Sequence, residues 1–175
     1  PGAFPGVLGN IDAARLDALR AFDGLALGEV DSAMYVVRST ELSAGGFDVF
    51  GAKALVAELR AALAASGMRT ASPDEMKVLR VEAGIPEWGA EMDIETIPQE
   101  ANLDALGAIS FNKGCYTGQE VVARIHFRGH VNRHLRWLLS DVPLAVGARV
   151  LDATGADVGD VRSTVATSAA GQPAP

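Results

Sequence analysis

A length of 175 residues allows one domain with a real core, or one domain and part of another. The composition, 49% hydrophobic and 21% charged, is that of an ordinary globular chain. A net charge of −7 argues against a general nucleic-acid coat, and one cysteine excludes an internal disulfide. No apolar run approaches the roughly 20 residues that span a bilayer.

Residues 1–9 hold prolines and glycines and are read as loop. Asn10 is placed to cap a helix through Phe22, with Ile11, Leu16 and Leu19 apolar. Asp31 to Arg38, with Met34-Tyr35-Val36-Val37 at its centre, reads as a strand. Gly45-Gly46 makes a turn, and Phe47 to Phe50 returns as a second strand. Ala52 to Ala65 is a helix that Gly67 ends, with Leu55, Val56, Leu59 and Leu63 on one face. Ser72-Pro73-Asp74-Glu75 opens the next helix with a capping box and a proline at its first position. That helix carries Met76, Leu79, Val81 and Glu82 and stops at Gly84-Ile85-Pro86. Thr117 and Glu120 suggest a second capping box, ahead of an amphipathic run from Val121 to Phe127. Beyond Gly129 the texture turns to strand. Val131–Ser140, Ala148–Leu151 and Val158–Thr164 are the segments, the last two around a hairpin turn at Asp152-Ala153-Thr154-Gly155. Ser168 to Pro175 is small and Gly/Pro-containing, and is expected to be disordered.

Charge is unevenly spread. Residues 71–104 hold nine acidic and two basic residues; residues 113–136 hold five basic residues and one acidic residue, Glu120. An anionic ligand favours the second segment, which is otherwise a solvated basic face. In that segment lies Phe111-Asn112-Lys113-Gly114-Cys115-Tyr116-Thr117-Gly118-Gln119-Glu120. A helix start carries partial positive charge and Lys113 a full one, and both favour an anion beside them. Cys115 is therefore either a reactive thiol or a small packing residue in a tight turn.

The run K-G-C-Y-x-G-Q-E, followed by Val122-Ala123-Arg124 and Arg128-Gly129, resembles the signature of the YgfZ family, folate-binding proteins related to the T-protein (aminomethyltransferase) of glycine cleavage. A second block is similar to the same superfamily: Arg80 to Pro86, then Gly89, Asp93 and Ile97-Pro98-Gln99-Glu100. A weaker one, Val158 to Thr164, resembles a turn in the C-terminal barrel of T-protein-like chains. The resemblance implies an α+β fragment of a T-protein-like folate-binding fold. Residues 1–130 would belong to the folate-binding α/β region, 131–167 to the first strands of an antiparallel C-terminal β-barrel, and 168–175 to a tail.

It also implies a function. The expected ligand is tetrahydrofolate or a derivative, and the expected role is accessory, in assembly or repair of iron–sulfur proteins. Partners would be folate and iron–sulfur client or assembly proteins. The location would be cytoplasmic, or the mitochondrial matrix in a eukaryote. Glu82 matches the R-x-E-A-G glutamate that contacts folate in T-protein relatives. Its carboxylate would accept the paired N–H groups of a pterin edge. Otherwise it is a helix-surface glutamate paired with Arg80 or a neighbour. Lys113, Tyr116, Arg124 and Arg128 could hold the glutamate tail; Arg124 and Arg128 are four apart and share a helical face. Gln119 and Glu120 fall in the first helical turn. Cys115, with Lys113 beside it, is the candidate reactive thiol.

Two other readings remain open. One is a folate-dependent C1 transferase of the aminomethyltransferase type, and the other is an RNA- or protein-binding module using residues 113–136. The spacing of His126, His130 and His134 invites a metal reading, but Gly129 is expected to end the helix between them. Trp88 and Trp137 are read as packing residues, with ligand stacking the alternative.

Overall fold

The computed structural model describes residues 13–28, 34–39, 42 and 45–166. The architecture is α+β, as expected, with two separate antiparallel sheets. The expected loop at 1–9, the Asn10 cap, Ile11 and the tail at 168–175 lie outside the described residues. The chain divides into two units, residues 1–79 and 80–175.

The first unit is a three-stranded meander and a helix. β1 (Gly24–Leu27), β2 (Met34–Ser39) and β3 (Gly46–Phe50) pair antiparallel in that order. Side chains alternate along β2: Met34 and Val36 are buried, while Tyr35 is exposed. The buried face meets α2 (Lys53–Ala65). Met34 and Leu59 form the centre, and Leu27, Val49, Leu55 and Leu63 pack against them. Burying side chains of this size stabilises by about 1.5–3 kcal/mol each. Gly67 takes φ +90 and closes α2 with two reversed bonds, Gly67 N–H to Ala64 C=O and Met68 N–H to Leu63 C=O.

Two expectations change in this unit. The expected helix through Phe22 is only α1 (Ala13–Asp17) among the described residues; Phe22 sits at φ +66 and its N–H bonds the carbonyl of Arg38. The strand β1 was not foreseen, because Gly-Leu-Ala-Leu has little strand propensity and is fixed by its pairing with β2.

α3 (Pro73–Glu82) starts as the sequence indicates. Ser72 Oγ accepts from Glu75 N–H at 3.2 Å, and Glu75 Oε2 accepts from Ser72 N–H at 2.8 Å. Its apolar positions are less buried than the pattern suggests, for Met76 and Leu79 are each 43% exposed. The helix ends at Gly84, φ +69, with Gly84 N–H to Val81 C=O and Ile85 N–H to Arg80 C=O.

The second unit is largely turns held by polar side chains. Arg80 Nη1 donates to Ile85 C=O at 2.7 Å and to Glu91 Oε2 at 2.9 Å. Its Nε lies 3.2 Å from Glu87 Oε2, an ion pair whose angle is too poor for a hydrogen bond. Its Nη2 donates to Ser163 Oγ at 3.4 Å. Around residues 97–102, Gln99 Nε2 donates to Val122 C=O and Asn102 Nδ2 to Leu135 C=O, both at 2.9 Å. Pro86, Ala101, Val122, Val131 and Val161 are buried in this unit.

The expected strand Val131–Ser140 does not form. Leu135 bonds the 99–102 turn through its N–H to Glu100 C=O and its own carbonyl to Asn102, and no strand pairs beside it. The hairpin does form. β4 (Arg149–Leu151) pairs with β5 (Asp157–Asp160) around a turn in which Asp152 Oδ1 accepts from Thr154 N–H, Thr154 Oγ1 and Ala156 N–H. β5 stops four residues short of Thr164. No helix among the described residues is long and apolar enough to cross a membrane.

Candidate functional site

The site residues named from the sequence lie just ahead of and along α4 (Gln119–Arg128), with Glu82 apart from them at the end of α3 in the chain. α4 does not begin with the Thr117–Glu120 capping box. Its cap is Gly118, at φ +85, and no side chain bonds the cap. Thr117 thus lies one residue outside the helix. Glycine reaches this left-handed conformation without the clash a Cβ would bring. The Gln119 N–H bonds the Tyr116 carbonyl at 3.2 Å, and the first intrahelical bond runs from Val122 N–H to Gly118 C=O.

Cys115 is a free, exposed thiol four residues ahead of the first helical residue. Lys113, exposed as well, sets its ammonium 4.9 Å from the centre of the Tyr116 ring. The lysine thus leans on the tyrosine face, a cation–π contact. Tyr116 is half-buried, and its hydroxyl oxygen is buried without a hydrogen-bond partner. Such a group costs free energy until something satisfies it. Gln119 is half-buried and Glu120 exposed, both in the first turn.

Arg124 and Arg128 are both exposed on α4, one turn apart, as their spacing predicts. Gly129 ends the helix in extended conformation, so His130 and His134 leave the helical face of His126. His126 instead stacks on Phe111, centroids 3.8 Å apart and planes 19° from parallel. Phe127 meets His126 edge-on at 4.7 Å and is itself 70% exposed.

Glu82 is half-buried in the last turn of α3, and it is held by interactions of its own. Arg80, two residues earlier, spends its guanidinium on Glu87 and Glu91. Trp137 packs, half-buried, with Nε1 donating to Val81 C=O at 3.1 Å. Trp88 does not pack in a core; it is 69% exposed at an isolated bridge with Met92.

Three residues escaped the sequence reading. Glu91 is the partner of Arg80, eleven residues away, with its side chain 5% exposed. Burial opposes its ionisation. Hydrogen bonds from Ser163 and the Glu87 N–H, with the charge of Arg80, outweigh that and hold its carboxyl below the usual range. Gln99 is 4% exposed and anchors α4, and its Oε1 is buried without a partner. Phe111 supports His126. Gln99 and Phe111 were quoted in the sequence blocks without a role, and Glu91 lay in the space between Arg80 and Asp93.

No family model matches the chain. The tRNA-modifying protein YgfZ of Hamiltonella defensa subsp. Acyrthosiphon pisum (strain 5AT) is 52% identical to it over 67 residues. Over that stretch the chain is YgfZ-like. The stretch is 38% of this chain and 20% of that protein, so it spans a fifth of the relative's length. An α+β architecture with a small two-stranded sheet is consistent with a fragment of a YgfZ-like fold.

Proposed function

We propose that the chain is a piece of a YgfZ-family, tetrahydrofolate-binding accessory protein that serves the assembly or repair of iron–sulfur proteins. The observation that carries this is the 52% identity to a YgfZ protein. The relative's name adds tRNA modification, which we take as the process its clients perform. Residues 1–130 would then be the folate-binding part and 131–167 the start of the barrel.

Folate, when bound, carries one-carbon units; the chain's part is to bind and orient it. Glu82 would accept the pterin edge, and Arg124 and Arg128 would hold the carboxylates of the tail. Tyr116 supports a polar ligand, because its buried hydroxyl has no protein partner among the described residues. Gln119 and Glu120 would line the helix start. Cys115 would be the reactive thiol, with Lys113 nearby, and its exposure suits reaction with a partner's thiol or cluster.

A tetrahydrofolate titration followed by equilibrium dialysis tests the reading. Glu82→Gln replaces one acceptor oxygen by a donor and should weaken binding by roughly 1.5–3 kcal/mol. Circular dichroism should be unchanged. Undiminished affinity in the variant would remove Glu82 from the site, and no binding by the unsubstituted protein would remove the folate.

A further inference from the structure

The net charge of −7 gives no reason to expect a polyanion partner. The placement of the charges does. Between residues 80 and 166, Arg80, Arg149 and Arg162 each pair with a carboxylate: Glu87 and Glu91, Asp157, and Asp160. The five cations from 113 to 136 do not pair with a carboxylate among the described residues. Lys113, Arg124, Arg128, Arg133 and Arg136 are all exposed. The acids are concentrated elsewhere in the sequence, in residues 71–104.

An exposed aromatic stands among these cations. On α4, Arg124 lies three residues beyond Val121, and Phe127 and Arg128 lie three and four beyond Arg124, so Arg124 neighbours all three along one side of the helix. Phe127 is 70% and Val121 56% exposed. Glu120, at the start of that face, is its one carboxylate. The Phe127 ring makes T-shaped contacts with His126 and Phe111, which are stacked on each other. A ring held in place but open on one side loses little freedom when a flat group stacks on it.

We propose that this outer face of α4 binds single-stranded nucleic acid. A base would stack on Phe127, and phosphates would meet Arg124 and Arg128. An arginine fork suits a phosphate, and every base offers a π-face. The bases must be unpaired, since a duplex hides their faces. An exposed helix side suits a polymer running across it better than an enclosed small molecule. The proposal goes beyond the folate reading; the two share Arg124 and Arg128, and Phe127 is what separates them.

Anisotropy of labelled RNA and DNA oligomers of about 12 nucleotides tests this, the two arms separating the sources. Binding of at least one oligomer should weaken steeply between about 50 and 200 mM salt. Phe127→Ala should lose about 5- to 150-fold in affinity, the effect of one stacked base. Phe127→Trp should retain it. Arg128→Gln should reduce the salt slope by roughly 0.7, one phosphate contact on a single strand. Tetrahydrofolate affinity should be the same in wild type, Phe127→Ala and Phe127→Trp, which keeps the two readings apart. No oligomer binding at the lower salt would overturn the proposal. So would equal affinities of Phe127→Ala and wild type, or displacement of the oligomer by an acidic peptide at equal charge concentration.

Discussion

Arg80 and Arg124 are the same residue type in the same unit of the protein, and their surroundings are opposite. Arg80 is 15% exposed in its side chain and reaches Glu87, Glu91, the carbonyl of Ile85 and Ser163. Arg124 is exposed on α4 without a carboxylate partner among the described residues. The first is a fastener that joins the end of α3, the 85–91 turn and the segment after β5. The second contributes nothing visible to the fold. A charge whose valences are filled within the chain is explained by stability, whereas one left open is solvated and free to meet a ligand.

The largest effect should come from breaking the fastener. Glu91→Ala would strip Arg80 of the less exposed of its two carboxylates, and losing a hydrogen bond between charged groups costs about 1.5–3 kcal/mol. Urea unfolding should show the midpoint move by that amount, and a loss under 1 kcal/mol would mean the pair is surface decoration. The same carboxylate sets a pH dependence. Its folded pKa lies below the ordinary value, so its contribution is complete above about pH 4.3. It is lost as the pH falls through the lower folded value. Glu91→Gln should therefore flatten the acid limb of a melting-temperature profile below about pH 4.3 while leaving the neutral limb parallel.

A second contrast is between the two capping boxes, and it separates what the sequence discloses from what it does not. Ser72-x-x-Glu75 forms both reciprocal bonds, and Thr117-x-x-Glu120 forms none. The difference is the residue after the hydroxyl. Pro73 fixes φ near the helical value and presents the first turn, whereas Gly118 is free to take φ +85 and becomes the cap itself. Local rules of this kind made the α2 and α3 ends, the Asp152 turn and the Arg124–Arg128 face legible. What depended on a distant partner was not. The residues of 131–140 have strand propensity but found a turn to bond rather than a ladder. β1 lacks the propensity but found β2. Arg80–Glu91, Gln99–Val122 and Phe111–His126 join residues 11, 23 and 15 apart, and no period announces them.

Gly118 offers a test of intermediate size. Gly118→Ala meets no atom within 4 Å, so its cost is the left-handed backbone alone. That is about 1–2 kcal/mol. If α4 instead shifts its start so that Thr117 becomes the cap, the penalty should shrink, and hydrogen exchange at Gln119 to Val121 should slow. The structure favours the full penalty, because the Gln119 N–H already bonds the Tyr116 carbonyl in the present turn.

The smallest expected effect is the most informative about the comparison. Arg124→Gln removes an exposed cation that touches no carboxylate, so unfolding free energy should change by no more than about 0.5 kcal/mol. Ligand affinity should nevertheless fall. The form of the fall distinguishes the candidate anions. A folate tail held by a forked guanidinium should respond already to Arg124→Lys, because lysine keeps the charge but loses the fork. A nucleic-acid backbone should tolerate lysine and respond to glutamine, since phosphate attraction follows charge. Measuring stability, tetrahydrofolate affinity and oligomer affinity for the two variants decides whether Arg124 serves a ligand at all. A destabilisation near that of Glu91→Ala would show that it is a second fastener, and the contrast between the two arginines would fail.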